Sequence, residues 1–168
     1  MDKKILVAYA TKYGATEGIA QKIGEVLTSA GWQVDVLPAG RVKNLEPYTA
    51  VVLGSGVYIG KWLKDAAKFL QANEKALAQR PVWLFSSGPL EAGDPVALLK
   101  GWLIPTGLQP VVDRIQPRQI TVFHGCVDME KLNFIDKFML TNIKSPVGDF
   151  RDWNAISAWA EGIAAALK

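Results

Sequence analysis

Apolar positions along the chain follow two alternating rhythms. Lys4-Ile5-Leu6-Val7-Ala8-Tyr9 is a compact, largely apolar run with a loop signal behind it, as expected of a strand buried on both faces. From Thr16 the spacing changes. Ile19, Ala20, Ile23, Val26, Leu27 and Ala30 fall on one face of a helix, and Gly31 suits its C-terminal end. Gln33 to Leu37 alternates as a second strand, stopped by Pro38, and Ala50 to Gly54 reads as a third. Leu63, Ala66, Ala67, Leu70 and Leu77 mark a second long helix, followed by a strand over Val82–Ser86. Asp94 is placed to cap a short helix that starts at Pro95 and runs to about Leu103. Ile120–Phe123 is a fifth strand, and Leu132 to Ile143 has helical spacing. Asp152 caps a last helix that carries Ile156, Trp159, Ala160, Ile163, Ala164 and Leu167 on one face.

Five buried strands separated by helices imply right-handed crossovers and a doubly wound parallel sheet in an α/β fold. Two strand orders compete, 2-1-3-4-5 and the Rossmann order. Both place ligands beyond the C-terminal ends of the strands, so the loops after strands one, three and four are where chemistry is sought. The length of 168 residues and the absence of repeats or linkers suit one domain over 1–168. The single cysteine, Cys126, cannot form an internal disulfide and fits a reducing cytoplasm. No window approaches the roughly 18 apolar residues of a membrane span. The apolar run at the N-terminus is too short for a signal peptide. A net charge of +3 with scattered Lys and Arg gives no nucleic-acid patch.

The loop after the first strand reads Thr11-Lys12-Tyr13-Gly14-Ala15-Thr16. A strand-to-helix turn presents unpaired backbone N–H groups and the positive end of the helix dipole, which together attract an anion. Gly14 lets the backbone curl, and the Thr11 and Thr16 hydroxyls can donate to phosphate oxygens. The G-x-G-x-x-G of dinucleotide folds and the G-x-x-x-x-G-K-[ST] of P-loops are both absent. Ala10-Thr11 and Ser55-Gly56 stand where a response-regulator receiver would need acidic residues. The loop favours a monophosphate held by backbone donors; the plainer alternative is a Thr/Gly turn with Thr16 as N-cap. The pattern T-x-x-G-x-T between a first strand and a first helix resembles the FMN-phosphate loop of flavodoxins. That resemblance implies a flavodoxin-like sheet in the 2-1-3-4-5 order.

It also implies that the two later loops flank the isoalloxazine ring. After strand three, Ser55, Gly56 and Val57 bring backbone close to the flavin, while Tyr58 and Trp62 are candidates to stack on it. The alternative for Trp62 is packing at the start of the second helix. After strand four, Ser86, Ser87, Gly88 and Pro89 are placed to meet the pyrimidine edge, or form a plain turn. The segments V-Y-I-G-K-W, F-H-G-C-V-D-M-E-K-L and G-D-F-R-D-W are similar to a flavodoxin branch that includes the menaquinone-dependent protoporphyrinogen dehydrogenases. This implies a quinone-linked FMN oxidoreductase whose partners are a quinone, a porphyrinogen or a redox partner protein. A flavodoxin-type electron carrier and a non-redox binding or signalling module are the alternatives.

Phe134, Ile135, Phe138, Met139 and Ile143 share one helical face, fringed by Lys131, Lys137 and Lys144. Such a face either contacts a membrane surface peripherally or covers a quinone; packing on the sheet is the favoured expectation. His124 has no ligand partners at metal-binding spacing, Cys126 reads as structural, and Asp149, Arg151 and Asp152 read as a cap and ion-pair cluster. No nucleophile–base arrangement emerges, as expected where a cofactor carries the reactivity.

Overall fold

The computed structural model describes residues 3–88, 93–142 and 147–168. Its strands are β1 (Lys4–Ala10), β2 (Gln33–Pro38), β3 (Tyr48–Tyr58), β4 (Lys61–Trp62), β5 (Val82–Ser87), β6 (Gln119–Phe123), β7 (Cys126–Val127) and β8 (Gly148–Asp149). Its helices are α1 (Ala15–Ser29), α2 (Lys64–Ala72), α3 (Glu74–Leu77), α4 (Pro95–Leu98), α5 (Gln109–Ile115), α6 (Phe134–Asn142) and α7 (Trp153–Ala166). The main sheet runs β2-β1-β3-β5-β6, all parallel, which is the expected 2-1-3-4-5 order when only the five long strands are counted. β4 folds back antiparallel on the end of β3, and β7 pairs with β8 in a separate ribbon.

Alternate residues of the central strands feed two apolar cores, one on each face of the sheet. Leu6, Val51, Leu53 and Leu84 pack with Phe69 and Leu70 of α2 and with Val112 and Ile115 of α5. Ile5, Val7, Val52 and Phe85 pack with Ile19 and Ile23 of α1 and with Ile156 and Ile163 of α7. Gly54 allows this second layer to close, because a Cβ there would lie 2.0–2.3 Å from the Phe85 ring. Phe85, Phe123 and Trp159 meet edge-on or tilted, with ring centroids 5.5–6.0 Å apart.

Several boundaries differ from the sequence expectation for local reasons. The second long helix is two, because Asn73 leaves helical geometry and turns its side-chain amide onto the Phe69 carbonyl at 2.9 Å. α4 stops at Leu98, not near Leu103, as the chain reverses through Lys100 and Gly101 at positive φ. α5 was not anticipated. Pro110 suggests a break, yet it lies in the first turn, where no N–H is needed. Asp94 and Asp152 do cap α4 and α7, accepting from Val96 N at 3.1 Å and Ala155 N at 3.0 Å. The expected ends Ile143 and Lys144 lie outside the described residues. Among the described residues no helix is long and apolar enough to cross a membrane.

Candidate functional site

β1, β3 and β5 end side by side, and their C-terminal loops enclose a cavity of about 440 Å³. One end is an anion corner. Gly14, at φ +94°, is the N-cap of α1, and no side chain caps the helix. Thr16 therefore lies inside the first turn and is not the cap. The Thr11 hydroxyl accepts from Gly14 N at 2.9 Å and sets the loop, which leaves its proton to donate elsewhere. The first intrahelical bond is Gly18 N to Gly14 O, so the amides of Ala15, Thr16 and Glu17 have no partner among the described residues. The Thr16 side chain points into the same space. It is 2% exposed, and its hydroxyl makes no hydrogen bond among the described residues. Gly56 keeps that space open, since a Cβ there would lie 3.1 Å from Thr16 Oγ1. Glu17 would repel an anion, but its carboxylate is turned aside to accept from the Tyr9 hydroxyl at 3.0 Å.

The other end is flatter and mostly apolar. Gly56, Val57, Tyr58 and Ile59 from β3 and its turn face Ser87 and Gly88 behind β5 and Gly125 to Val127 behind β6. Gly88 brings the two sides together, as a Cβ there would sit 3.2 Å from Val57 Cβ. The Ser87 hydroxyl, on a residue 5% exposed, also has no partner among the described residues. Thus Thr11, Lys12, Tyr13, Ala15, Thr16, Gly56, Val57, Tyr58, Ser87 and Gly88, all candidates from the sequence, line this one cavity. Gly14 borders a smaller adjoining hollow of about 110 Å³.

Three sequence candidates do not reach the cavity. Ser55 is buried beneath it, accepting from Leu63 N at 3.0 Å and donating to Gly56 O at 2.8 Å. The Trp62 indole N–H donates to Ser86 Oγ at 2.8 Å, and that hydroxyl donates to Leu103 O at 2.7 Å. Trp62 and Ser86 therefore brace the two loops from behind, because both polar groups are spent on each other and on backbone. Pro89 lies outside the described residues.

Of the residues that roof the cavity, only Met139 is singled out in the sequence. Leu132, Asp136, Met139 and Leu140 close it from above. Asp136 is 2% exposed; Tyr13 and Tyr58 donate their hydroxyls to its carboxylate, and Lys12 Nζ lies 2.6 Å away. Burial alone would push this carboxyl up, but the bonds from Lys12, Tyr13 and Tyr58 together overcome it and hold it at about 2. The bond to Asp136 raises the Lys12 ammonium and the Tyr58 phenol in turn. Lys12 Nζ also stands 4.1 Å over the Tyr58 ring. The readable signal was a single acidic residue amid the apolar positions of α6, with Asn133 three residues ahead accepting from Asp136 N at 2.8 Å.

The outward face of α6 corrects the expectation that it packs on the sheet. Phe134, Ile135 and Phe138 are 84%, 74% and 64% exposed. Cys126 borders the cavity, with its thiol pushed up by burial, and Arg151 forks onto Asp149 at 2.9 and 2.7 Å. No metal-ligand cluster occurs among the described residues.

Comparison with known structures gives the same architecture. The chain is similar to an archaeal flavodoxin (18% identity, 98% of each chain, TM-score 0.62). It is also similar to the oxidised flavodoxin 2 of Bacillus cereus (20% identity, 98% of each chain, TM-score 0.61). The rubredoxin oxygen:oxidoreductase of Desulfovibrio gigas matches over 99% of this chain but only 37% of its own length (16% identity, TM-score 0.63). At these identities the likeness is one of fold. The model of the flavodoxin domain matches residues 6–154, from the first core strand into the last helix, and by that match the chain belongs to the flavodoxin domain family.

Proposed function

We propose that the cavity binds FMN and that the protein is an FMN-dependent oxidoreductase, quinone-linked in the manner of the protoporphyrinogen dehydrogenases. The observation that carries the cofactor reading is a pair of hydroxyls, on the largely buried residues Thr16 and Ser87, that line one cavity with no hydrogen-bond partner among the described residues. Thr16 stands beside three unpaired helix amides, and Ser87 beside an apolar slot. A phosphomonoester fits the first end and a planar heterocycle the second. Bound FMN would supply one- and two-electron transfer. The chain's own part is positional. The amides of Ala15 to Glu17, with the Thr11 and Thr16 hydroxyls, hold the phosphate. Tyr58, Val57 and Gly88 confine the ring, Ser87 hydrogen-bonds its edge, and Met139 and Leu140 exclude water.

The quinone-linked reading draws on the apolar roof and on the bare outer face of α6. Phe134, Ile135 and Phe138, with Lys137 beside them, suit shallow contact with a lipid surface, where quinones reside. A flavodoxin-type carrier serving a redox partner protein is the second reading, and membership of the flavodoxin domain family supports it.

Purified apoprotein titrated with FMN tests the first step. A yellow complex and quenched flavin fluorescence are expected; a colourless product at excess FMN overturns the cofactor reading. Turnover of a menaquinone analogue or protoporphyrinogen by the loaded protein then separates enzyme from carrier. Cosedimentation with anionic vesicles, lost in Phe134→Ser/Phe138→Ser with the melting temperature unchanged, tests the lipid contact; binding that survives both substitutions refutes it.

A further inference from the structure

The FMN reading uses Met139 and Leu140 of α6 to exclude water but does not say what holds that helix over the cavity. It is held in an unusual way. Asp136 is the sole buried residue among Phe134–Asn142, and three of the large apolar residues that would ordinarily fasten a helix, Phe134, Ile135 and Phe138, point outward. A buried carboxylate is a costly anchor, because its desolvation must be recovered from its partners, whereas an apolar residue fastens a helix with no such debt. The partners here come from two separate loops, both part of the proposed cofactor cradle. Lys12 and Tyr13 follow β1, and Tyr58 ends β3. The anchor consumes the cation and phenol donors that the cradle would otherwise present.

We propose that Asp136 is a positioning residue for the cofactor: it draws α6 over the cavity as a roof, fixes the Tyr58 ring, and cancels the charge of Lys12 so that the bound flavin meets a neutral edge. This rests on the FMN reading. The geometry supports each part. Met139 and Leu140, which complete the roof, lie three and four residues beyond Asp136 and so share its face of the helix. The Tyr58 ring has Lys12 over one face, and its hydroxyl is tied to Asp136, so the ring cannot turn independently. Lys12 has its ammonium on the carboxylate at 2.6 Å, which makes the pair electrically neutral at short range.

The test uses wild type, Asp136→Asn, Lys12→Met and the double variant, each titrated with FMN and riboflavin and each measured for the midpoint potential of bound flavin. Riboflavin lacks the phosphate, so its affinity reads the roof and ring alone. Asp136→Asn should weaken riboflavin by at least about tenfold, the scale of one lost charge-assisted tether. It should raise the midpoint potential by leaving Lys12 uncompensated. Lys12→Met should lower the potential, because the carboxylate is then unopposed, and the double variant should return near wild type. Lys12 is half-exposed, so its variant gives a reading even if Asp136→Asn folds poorly. Unchanged riboflavin affinity and potential in Asp136→Asn overturn the proposal, as does a potential rise that persists in the double variant. Wild type that binds neither flavin overturns the FMN reading itself, a result distinct from any variant effect.

Discussion

Thr16→Val separates a phosphate-holding hydroxyl from an ordinary buried threonine, because the two roles predict opposite signs. The substitution exchanges a hydroxyl for a methyl of similar size, and the two residues have similar helix propensity. In the apoprotein Thr16 as a residue is 2% exposed, and its hydroxyl has no partner among the described residues, so its removal forfeits no protein bond. An unpaired polar group costs about 1–3 kcal/mol when fully buried, and less here because Thr16 lines an open cavity. The variant apoprotein should therefore be as stable as wild type or gain about 1 kcal/mol, roughly 2–4 °C in melting temperature for a chain of this size. FMN binding should respond in the other direction. A hydrogen bond to a charged group contributes about 1.5–3 kcal/mol, or a weakening of about 10- to 150-fold. Riboflavin should bind both proteins equally. Fluorescence-quenching titrations at fixed ionic strength, with thermal melts of the apoproteins, measure all three quantities. Equal loss for FMN and riboflavin, or a destabilised apoprotein with unchanged FMN affinity, would refute the assignment of this corner to phosphate.

Gly54→Ala should lower stability by about 1–3 kcal/mol or more, since its methyl would lie 2.0–2.3 Å from the buried Phe85 ring; an unchanged melt would mean that the Phe85–Phe123–Trp159 cluster repacks freely. Acidification should destabilise the apoprotein on a defined schedule. The Asp136 carboxyl sits at about 2, below its ordinary 3.8, so its contribution is complete above about pH 4 and is lost as pH falls through 2. The shift corresponds to about 2 kcal/mol, and Asp136→Asn should flatten that part of the profile. On the alkaline side, burial and the bond to Asp35 push the Tyr48 phenol up to about 12. Its contribution is complete below pH 10 and is lost as pH rises towards 12. Tyr48→Phe should remove that alkaline loss, as read by melts across the range.

The strands and the phosphate loop were legible because their signals are local. Ile5–Tyr9 and Val82–Ser86 are apolar runs that only a two-sided burial explains, and T-x-x-G-x-T needs nothing beyond its neighbours. Ser55, Trp62 and Ser86 carry the same kind of local signal, with packing as the alternative for Trp62, and their side chains brace the loops. The hydroxyls find partners in Leu63, Gly56 and Leu103 and the indole in Ser86, and which partner a buried group takes is settled by tertiary packing. The β7–β8 ribbon pairs segments more than twenty residues apart through two residues each, too short to leave a periodic trace. Asp136 meets Lys12, Tyr13 and Tyr58 across 78 to 124 positions of chain, so its lone acidic place in α6 could mark it as unusual but could not name its partners. The outward turn of Phe134, Ile135 and Phe138 was hidden for a related reason: helical spacing reveals that a face exists, not what lies opposite it.

The two walls of the cavity are secured very differently. The Trp62–Ser86–Leu103 chain and the Ser55 turn rivet one wall to the sheet, while the other is held mainly by the Asp136 carboxylate, with Asn133 N donating to the Tyr13 hydroxyl beside it. Substitutions along α6 can therefore reshape the entrance, and with it the choice of reaction partner, at little cost to the folding of the sheet. The same scaffold is in this way open to retargeting from one side only.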